Sequence, residues 1–355
     1  MITVQRFTDF DALTETARPL FKAEHPGGVF LGEAWFRTVL AHAMPPDTAP
    51  LFLLAKRGDH PIGLMALQTR GQQIESLTTP YSCAFAPLLE PGLNTNEQIT
   101  VCTALARACR AWPALRLDAL DPDDPPVRAM IAGARAAGLS VRPFDHFGNW
   151  HEHIAGRSWA DYLAQRPSQL RNTVRRKTTT AEREAGALTI LRGGTDLEAG
   201  ISAYENVYAR SWKQPEPFPS FNAEMMRAFA PLGQLRLGLI RLGELVIAAQ
   251  IWLVAGGIAT VVKLAHDEAH KSASPGTVLT AHMLRHLLDE EHVREIDFGR
   301  GDDPYKQGWA SQRRQKIGLF FINPYRPAGF TTLARQTLGN AARKIYRRNK
   351  PDSGG

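Results

Sequence analysis

The sequence has few cysteines, no long apolar run and no internal repeat. The first two features each argue against a class of protein. Its three cysteines, at positions 83, 102 and 109, form no Cys-x-x-Cys pair. This pattern predicts buried free thiols in a reducing cytosol. No stretch of 18 uninterrupted apolar residues occurs, which argues against a transmembrane helix. The N-terminus "MITVQRFTDFDALTE" lacks the basic and apolar segments of a secretion signal.

The composition that remains is that of an ordinary globular protein with a positive charge. The 355 residues are 44% hydrophobic and 22% charged, which suits two domains with real cores and argues against disorder. The formal net charge of +7 suggests an anionic partner. A phosphorylated cofactor, a nucleic acid and an acidic membrane surface all meet that description.

The order of predicted helices and strands indicates a mixed α/β fold in two lobes. A new unit is predicted to start near residue 150, with the strand "NWHEHIAG". We therefore predict a first lobe over residues 1–149, a second over 150–325 and a basic amphipathic tail over 326–355. The second lobe is predicted to hold strands at 188–192, 235–241, 245–254, 258–264 and 294–298, a helix at 275–290 and a last strand pair around 315–323.

Three patterns could suggest a metal ion, and each lacks part of what a metal site needs. "DPDDPP" at 121–126 holds three aspartates, but its prolines favour a turn before a helix. His282 and His286 lie four residues apart on one predicted helix, and His151 and His153 alternate on one strand face. Neither pair has an evident third ligand, so we predict no metal.

A short stretch of small residues opens the predicted helix at 275–290. In "SPGTVL", Ser274 suits the N-cap, Pro275 the first helical position, and Gly276 lets a ligand approach the backbone. Such a helix start offers free N–H groups and the positive end of the helix dipole to a phosphate. Most Ser-Pro-Gly helix starts bind nothing, so the pattern alone leaves both interpretations open.

A second stretch, "EIDFGRGDDPYKQGW" at 295–309, concentrates functional side chains at a strand end. Ile296 and Phe298 would point to one side of the strand and Asp297 to the other. An acid flanked by apolar residues is costly unless it is paired or functional. The two glycines that follow permit a sharp turn or the close approach of a ligand.

The rest of this stretch predicts a short helix. One of the aspartates at 302–303 is expected to cap it, with Pro304 at its first position. Tyr305, Lys306 and Trp309 would then project near the C-terminal end of the strand, where ligands collect in α/β sheets. The alternative is a capped turn with surface charges and a packed tryptophan.

Together these two stretches resemble the C-terminal half of the GNAT-superfamily acyltransferase domain related to FemAB and to the CelD (BcsL)-type envelope proteins. That family shows a helix opening with Ser-Pro-Gly-Thr, then an Asp-Phe strand, a Gly-Asp and a Tyr-Lys-x-x-Trp. The matching residues are Ser274, Pro275, Gly276, Thr277, Asp297, Phe298, Gly301, Asp302, Tyr305, Lys306 and Trp309. The likeness covers most of residues 25–323 and departs at His266-Asp267, where the family has an aromatic residue before the aspartate.

The resemblance implies two tandem GNAT-like lobes, with the acyl donor in the second. In GNAT enzymes the pantetheine of the donor separates two strands, and the next helix start receives the pyrophosphate. Ser274, Gly276, Thr277 and Val278 fall at that place, without the glycine-rich loop of ordinary GNAT enzymes. The implied co-substrate is acyl-CoA or an acyl carrier protein thioester, and an aminoacyl-tRNA remains an alternative donor.

GNAT chemistry is the direct attack of an amine on a thioester, which needs no metal. It needs a route for the proton of the amine, an oxyanion donor and an acid for the leaving thiolate. Asp297, with a pKa raised by burial, would orient or deprotonate the amine, and His266 is the second base candidate. Tyr305 would protonate the thiolate or hold the sulfur, and Lys306 would stabilise the oxyanion or pair with Asp297 or Asp302. The predicted substrate-binding residues are Arg175, Arg300, Asp302 and Trp309.

Two basic segments each have two interpretations. The helical hairpin that begins at Ser158 is either a solvated basic surface or a grip on lipid phosphates, a nucleotide-sugar or tRNA. Its cations are Arg166, Arg171, Arg175, Arg176 and Lys177. The segment 329–348 is predicted to be a basic amphipathic helix that contacts an anionic membrane surface or packs on the body.

These features predict a cytoplasmic N-acyltransferase, with a peripheral position at the inner face of the cytoplasmic membrane if the tail binds lipid. It would acylate a primary amine of a cell-envelope precursor, a lipid-linked or polysaccharide precursor, or an amino lipid such as a sphingoid base. The alternatives are a FemX-like aminoacyl-tRNA-dependent transferase and a non-catalytic GNAT-like scaffold in an envelope biosynthesis complex. A purely nucleic-acid-binding protein is disfavoured because no recognised module appears.

Overall fold

The computed structural model describes residues 1–22, 27–71, 73–183 and 186–329, which form one mixed sheet flanked by helices. The sheet has 13 strands within these residues. They are β1 (Ile2–Phe7), β2 (Thr48–Arg57), β3 (His60–Arg70), β4 (Gln73–Ser76), β5 (Leu88–Leu89), β6 (Ala114–Leu120), β7 (Ser140–His153), β8 (Gly186–Leu191), β9 (Leu235–Leu242), β10 (Leu245–Ala255), β11 (Ile258–His266), β12 (Glu295–Arg300) and β13 (Gln312–Ile322).

The helices pack on both lobes of the sheet, and a proline interrupts the basic helical hairpin. Pro167 separates two helices because it removes a backbone donor and clashes with the preceding turn. The α-helices are α1 (Phe10–Lys22), α2 (Glu33–His42), α3 (Thr95–Cys109), α4 (Pro125–Ala136), α5 (Trp159–Ala164), α6 (Ser168–Arg183), α7 (Leu197–Ala209), α8 (Phe221–Phe229), α9 (Pro275–Asp289) and α10 (Lys306–Trp309). Two 3-10 helices span Gly28–Leu31 and Glu268–Ala273.

The strand order shows the same unit twice. From edge to edge it is β1-β2-β3-β4-β6-β13-β7-β12-β11-β10-β9-β8, with β5 paired to β3. The β4–β6 and β11–β12 pairs are parallel, and the other pairs are antiparallel. A parallel pair needs a crossover, which α3 supplies in the first half and α9 in the second. The predicted mixed α/β fold is confirmed.

The two halves exchange strands at the centre of the sheet. β13, from the end of the second half, lies between β6 and β7, while β7, from the end of the first half, pairs with β12. The predicted lobe boundary between residues 149 and 150 lies inside β7. The expected strand pair around 315–323 is wrong: β13 is one continuous strand. This exchange brings β7 and β13 side chains against Asp297.

The core confirms the predicted buried thiols, and it also buries one side of α9. Leu279, Met283 and Leu287 are each 0% exposed and pack on one face of the second half of the sheet. The three cysteines are buried and free. Burial raises the pKa of each thiol to about 12, so these sulfurs stay protonated and unreactive at neutral pH.

The described helices include none that is both long enough and apolar enough to cross a bilayer. Most of the predicted basic tail, from residue 330 onward, lies outside the described residues. Its proposed contact with a membrane therefore stays a prediction.

Candidate active site

The second parallel strand pair opens into a cleft. β11 and β12 pair only over Ile258–Thr260 and Glu295–Asp297, although β11 continues to His266 and β12 to Arg300. Where they part, Gly299 has a φ of +66°, and a Cβ there would lie 2.5 Å from the Val261 carbonyl oxygen. The divergence therefore requires glycine at this point. It leaves strand edges free to contact a ligand between them.

A cavity of about 590 Å³ lies beside this divergence and brings together half of the predicted site residues. Its wall combines the end of β11, the start of α9, one side of α6 and the turn after β12. Six predicted site residues line it: His266, Ser274, Gly276, Thr277, Tyr305 and Trp309. The volume is in the range of small-molecule sites.

The start of α9 faces the cleft without a side-chain cap. Ser274 occupies the N-cap position but is left-handed, with a φ of +55°, and its hydroxyl makes no cap bond, so the predicted Ser274 cap is wrong. The first N–H groups of a helix have no partner within it, and here they adjoin the cavity. Val278 differs from its neighbours: its side chain is 2% exposed in the core and its N–H donates to the Ser274 carbonyl.

A buried glutamine holds the α9 start in place. The Gln250 amide donates to the Gly276 carbonyl at 3.1 Å and to the Thr280 hydroxyl at 2.7 Å. The indole N–H of Trp252 donates to the Gln250 carbonyl oxygen at 2.9 Å. This network connects β10 to the first turn of α9.

His266 lies at the end of β11 beside the α9 start. A Cβ on Gly276 would be 3.6 Å from its Nδ1, and its ring centroid is 4.5 Å from that of Trp212. Burial lowers the pKa of His266, and the opposing effect of Glu268, 3.5 Å away, is smaller. The imidazole is therefore neutral at pH 7 and able to accept a proton.

Tyr305 and Lys306 follow β12 but have different surroundings. Tyr305 is 42% exposed, and loss of water around its ring raises its pKa, so the phenol carries its proton at neutral pH. Lys306 is buried; its ammonium donates to the Arg300 carbonyl at 2.7 Å and pairs with Asp303 at 3.1 Å. The expected pairing of Lys306 with Asp297 or Asp302 is wrong, as is the helix cap by an aspartate: α10 has no side-chain cap.

Asp297 is buried but strongly paired. Its carboxylate accepts hydrogen bonds from the Asn149 amide at 2.7 Å, the Gly299 N–H at 2.7 Å and Arg314 at 2.6 Å. Burial alone would raise the pKa of Asp297, but Arg314 and Asn149 outweigh it and the net pKa is lowered. The predicted raised pKa is wrong because β7 and β13 supply these partners.

Asp297 also faces away from the cleft. Ile296 and Phe298 pack in the core under α9, whereas Asp297 lines a separate cavity between the two halves of the molecule. It lies opposite Thr260 in the last paired position before the strands part. The carboxylate is thus at the divergence, on the face opposite the helix start.

The predicted substrate-binding residues do not form one group. Trp309 is 2% exposed and borders the cleft. Arg300 lies 4.6 Å above the Phe147 ring, and Asp302 pairs with Arg313 at 2.6 Å. Arg175 lines another groove, between α5, α6 and α9, together with Arg171 and Arg285.

A buried ionic network supports the cleft. The Glu152 carboxylate accepts from Arg166 at 3.0 Å, from Arg157 at 2.9 Å and from the Ser311 N–H at 2.7 Å. Arg166 also donates to the Trp309 carbonyl at 2.9 Å. Although burial opposes it, Ser311 and the arginines lower the pKa of Glu152 to about 2. Arg166 is therefore internal, and neither interpretation of the basic hairpin applies to it.

The sequence interpretation missed Glu152, although a signal was present. Like Asp297, it is an acid within a strand of aromatic and apolar neighbours, and such a residue requires a buried partner. Its partner Arg166 lies only 14 residues further along the chain.

One group of described residues has the composition of a metal site. His151, His153 and Glu295 offer ligand atoms that all lie within 4.8 Å of one another. The guanidinium of Arg314 lies 3.2 Å from Glu295, however, so a cation bound there would meet a positive charge. His286 of the other predicted pair contacts Glu290 and Glu291.

A known protein family matches the part of the chain that forms the cleft. Residues 168–307, which contain α6, the diverging strands, α9 and Tyr305, match the family model described as Acetyltransferase (GNAT) domain. This segment is similar to a GNAT acetyltransferase domain. The protein is therefore an acyltransferase, and the cleft lies at the position where the GNAT resemblance implied the donor. No curated protein matches the chain in sequence.

Several solved structures share the fold of this chain at low identity. FemX covers 90% of this chain and 98% of its own at 12% identity, with a TM-score of 0.59. The C-terminal domain of a putative lysylphosphatidylglycerol synthetase from Agrobacterium fabrum covers 93% and 98% at 10% identity, with a TM-score of 0.57. L-PGS from Bacillus licheniformis covers 89% and 98% at 11% identity, with a TM-score of 0.53. Similarity over nearly the whole chain extends the fold beyond the GNAT domain to both halves.

Proposed function

We propose that this protein is an N-acyltransferase that moves an acyl group from a thioester donor to a primary amine. The observation that carries the proposal is the uncapped start of α9 beside the strand divergence, at the edge of a 590 Å³ cleft. The free N–H groups and the helix dipole suit the phosphates of acyl-CoA. The diverging strands suit its pantetheine, and an acyl carrier protein would present the same arm.

In the proposed reaction the amine nitrogen attacks the thioester carbonyl carbon, the C–N bond forms and the C–S bond breaks. The proton lost by the amine goes to Asp297, which is ionised, or to His266, which is neutral. The leaving thiolate takes a proton from Tyr305, whose pKa is raised. Lys306, bound to backbone carbonyls, holds the turn that carries Tyr305.

The acceptor that we favour is an amine of a cell-envelope precursor or an amino lipid such as a sphingoid base. Among the structural neighbours, one is named for lysylphosphatidylglycerol, a phospholipid that carries an amino acid. The basic groove formed by Arg171, Arg175 and Arg285 suits an anionic head group or membrane surface. We place the enzyme in the cytoplasm, at the inner face of the membrane.

A second candidate is aminoacyl transfer from tRNA, which the whole-chain similarity to FemX favours. The same amine attack would then release the tRNA hydroxyl in place of a thiol. Activity with purified acyl-CoA that survives ribonuclease treatment would exclude this candidate. Activity that requires charged tRNA and is lost with ribonuclease would establish it instead.

Tyr305 provides the most direct test. With an acyl-CoA series of rising chain length and a panel of amines, we expect Tyr305→Phe to lower kcat about 100-fold, within the usual contribution of a general acid. Tyr325→Phe is the matched control, because Tyr325 is 73% exposed and does not line the cleft. Asp297→Asn should also lower kcat. Full activity of the Tyr305 and Asp297 variants would reject this assignment.

A further inference from the structure

A second cavity lies on the opposite face of the diverging strands. It has a volume of about 330 Å³ and is enclosed by both halves of the molecule. The sheet contributes Thr260, Glu295, Asp297, Arg314 and Lys316. The first half closes it with three segments, residues 27–30, 83–86 and 121–125.

The charges around this cavity do not cancel. Five carboxylates line it, from Asp121, Asp123, Asp124, Glu295 and Asp297, against the two cations of Arg314 and Lys316. Both cations are already engaged by three of these acids, and Asp123 pairs with Arg128 at 2.5 Å. Arg314 binds Asp297 at 2.6 Å and lies 3.2 Å from Glu295, and Lys316 binds Asp121 at 3.1 Å. An excess of negative charge remains near Asp124.

Within the described part of the chain, Asp124 is the lining acid without an ion pair. It is 9% exposed, and its Oδ1 has no hydrogen-bond partner among the residues that the structure describes. Asp124 occupies the N-cap position of α4 yet makes no cap bond. A helix start would ordinarily satisfy such a carboxylate. An unpartnered buried carboxylate is costly, which points to a missing cationic partner.

We propose that this cavity binds the cationic head group of the acceptor amine, with Asp124 as its principal contact. The proposal rests on the N-acyltransferase function and adds the place and the chemistry of the second substrate. An ammonium group carries three donors and one positive charge, which would satisfy Asp124 and offset the excess acid.

The position of the cavity supports this assignment. Asp297 lines it and is the last residue of β12 paired to β11, so the cavity adjoins the strand divergence from one face and the donor cleft adjoins it from the other. An amine held here would approach the thioester from the face opposite the α9 start. The carboxylates that hold the ammonium are also placed to take its proton before attack.

The size of the cavity limits what can enter. At about 330 Å³ it is at the lower end of small-molecule sites, so it suits a compact amine head group and not a long chain. An amino sugar unit or the amino-alcohol end of an amino lipid fits this description. Any lipid tail or polymer would extend outside the cavity.

The test is direct binding of amine probes to the full-length protein, without turnover. We expect glucosamine, ethanolamine and sphinganine to be ranked by calorimetry, with at least one binding to the unmodified protein. N-acetylglucosamine, which lacks the cation, should bind at least tenfold more weakly than glucosamine. Asp124→Asn should weaken the binding of the best amine at least tenfold, as for a charged hydrogen bond.

Asp118→Asn is the matched control. It removes one negative charge from the first half, but Asp118 pairs with Arg116 at 3.1 Å and does not line the cavity. This control should bind the amine normally. Equal amine binding by Asp124→Asn and the unmodified protein, equal binding of N-acetylglucosamine, or no binding by any of the three amines would overturn the proposal.

The same variants separate this proposal from the enzymatic one. Asp124→Asn should bind acyl-CoA normally, because the donor cleft lies on the other face. Amine binding that depends on Asp124 in a protein that never acylates an amine would support the cavity and reject the proposed reaction. Acylation of an amine that is unaffected by Asp124→Asn would support the proposed reaction and reject the cavity.

Discussion

The two parallel strand–helix–strand units of this molecule have the same topology, but one helix has a side-chain cap at its N-terminus and the other has none. In the first, α3 is closed by a capping box: Asn94 accepts from the N–H groups of Asn96 and Glu97, and Glu97 accepts from the N–H of Asn94 at 3.0 Å. In the second, α9 begins after a left-handed Ser274 that makes no side-chain cap. One helix satisfies its own donors, and the other leaves them to a ligand.

The strand gaps differ in the same way. β4 and β6 also pair over only two positions, but the space beyond is bridged by the chain itself. The Ser76 hydroxyl accepts from the Asp118 N–H at 3.0 Å, and the Phe85 N–H donates to the Ala119 carbonyl at 3.0 Å. In the second unit, the 590 Å³ cleft lies between the end of β11 and the turn after β12 instead. This difference is the reason for proposing that the donor binds at the second unit.

The largest effect is expected from the support of the open cleft. Glu152→Ala would leave Arg166 charged and buried without its partner, so we expect a loss of about 3–5 kcal/mol in the free energy of unfolding. Chemical denaturation at pH 7 measures it. Asp118→Ala, in the closed unit, breaks a more exposed pair with Arg116 and should cost under about 1 kcal/mol. Similar losses in both variants would contradict the idea that the open unit depends on this network.

The pH dependence of the Glu152 contribution has a defined direction. Its pKa of about 2 is below the value of 4.5 for an unperturbed glutamate, so the contribution is present above pH 4.5 and is lost as pH falls toward 2. The difference in stability between the unmodified protein and Glu152→Ala should shrink over that window.

The sequence predicted the cleft better than it predicted the groups around Asp297. His266, Ser274, Gly276, Thr277 and Tyr305 lie in or beside motifs that are local in the chain, so a family resemblance could place them together. The partners of Asp297 come from elsewhere: Asn149 is 148 residues away and Arg314 arrives on β13. Only the exchange of strands at the centre of the sheet brings them near, and no local pattern encodes it.

The second prediction places a glutamate at the start of α9, at the position that Glu97 occupies in α3. Glu97 is the third residue of α3, and Thr277 is the third residue of α9. In Thr277→Glu the added carboxylate would repel the donor phosphates. A like charge about 4 Å away costs about 4 kcal/mol near a protein surface before screening, so we expect roughly 100-fold weaker CoA binding by calorimetry.

Stability should respond differently, because an acid in the first helical turn stabilises a helix by about 0.3–1 kcal/mol. Thr277→Glu is therefore expected to fold normally. The reverse change, Glu97→Thr, is the control: it breaks the capping box and should leave CoA affinity unchanged. Weaker CoA binding in Glu97→Thr, or unchanged binding in Thr277→Glu, would place the donor elsewhere.

The third prediction concerns Asp124, which the first half contributes to the cavity between the two halves. Burial, and then Asp121, raise the pKa of Asp124 from 3.8 to about 6. A raised pKa means that the folded state binds the proton more tightly, so the stability contribution is present below pH 4 and is lost as pH rises through 6. Asp124→Asn should thus be more stable than the unmodified protein at pH 7, by roughly 1–2 kcal/mol.

That gain should disappear near pH 4, where both side chains are neutral. Thermal unfolding at several pH values between 4 and 8 measures the difference. A variant that is less stable at pH 7 would show that Asp124 has a favourable partner in the free protein. It would also remove the reason for expecting a cationic ligand at this position.

The smallest expected effects return to the two helix starts. Asn94→Ala removes a side chain that accepts two backbone N–H groups, at 3.0 and 3.1 Å, and should cost about 1 kcal/mol. Ser274→Ala removes a hydroxyl that caps nothing, so it should change stability by less than about 0.5 kcal/mol. Equilibrium unfolding of the two variants measures whether each side chain caps its helix. If Ser274→Ala costs as much as Asn94→Ala, the serine caps α9 in solution and the N–H groups of α9 are not free for a phosphate. Alanine keeps the Cβ at this left-handed position, so backbone strain cannot account for a difference in stability between the serine and the alanine protein.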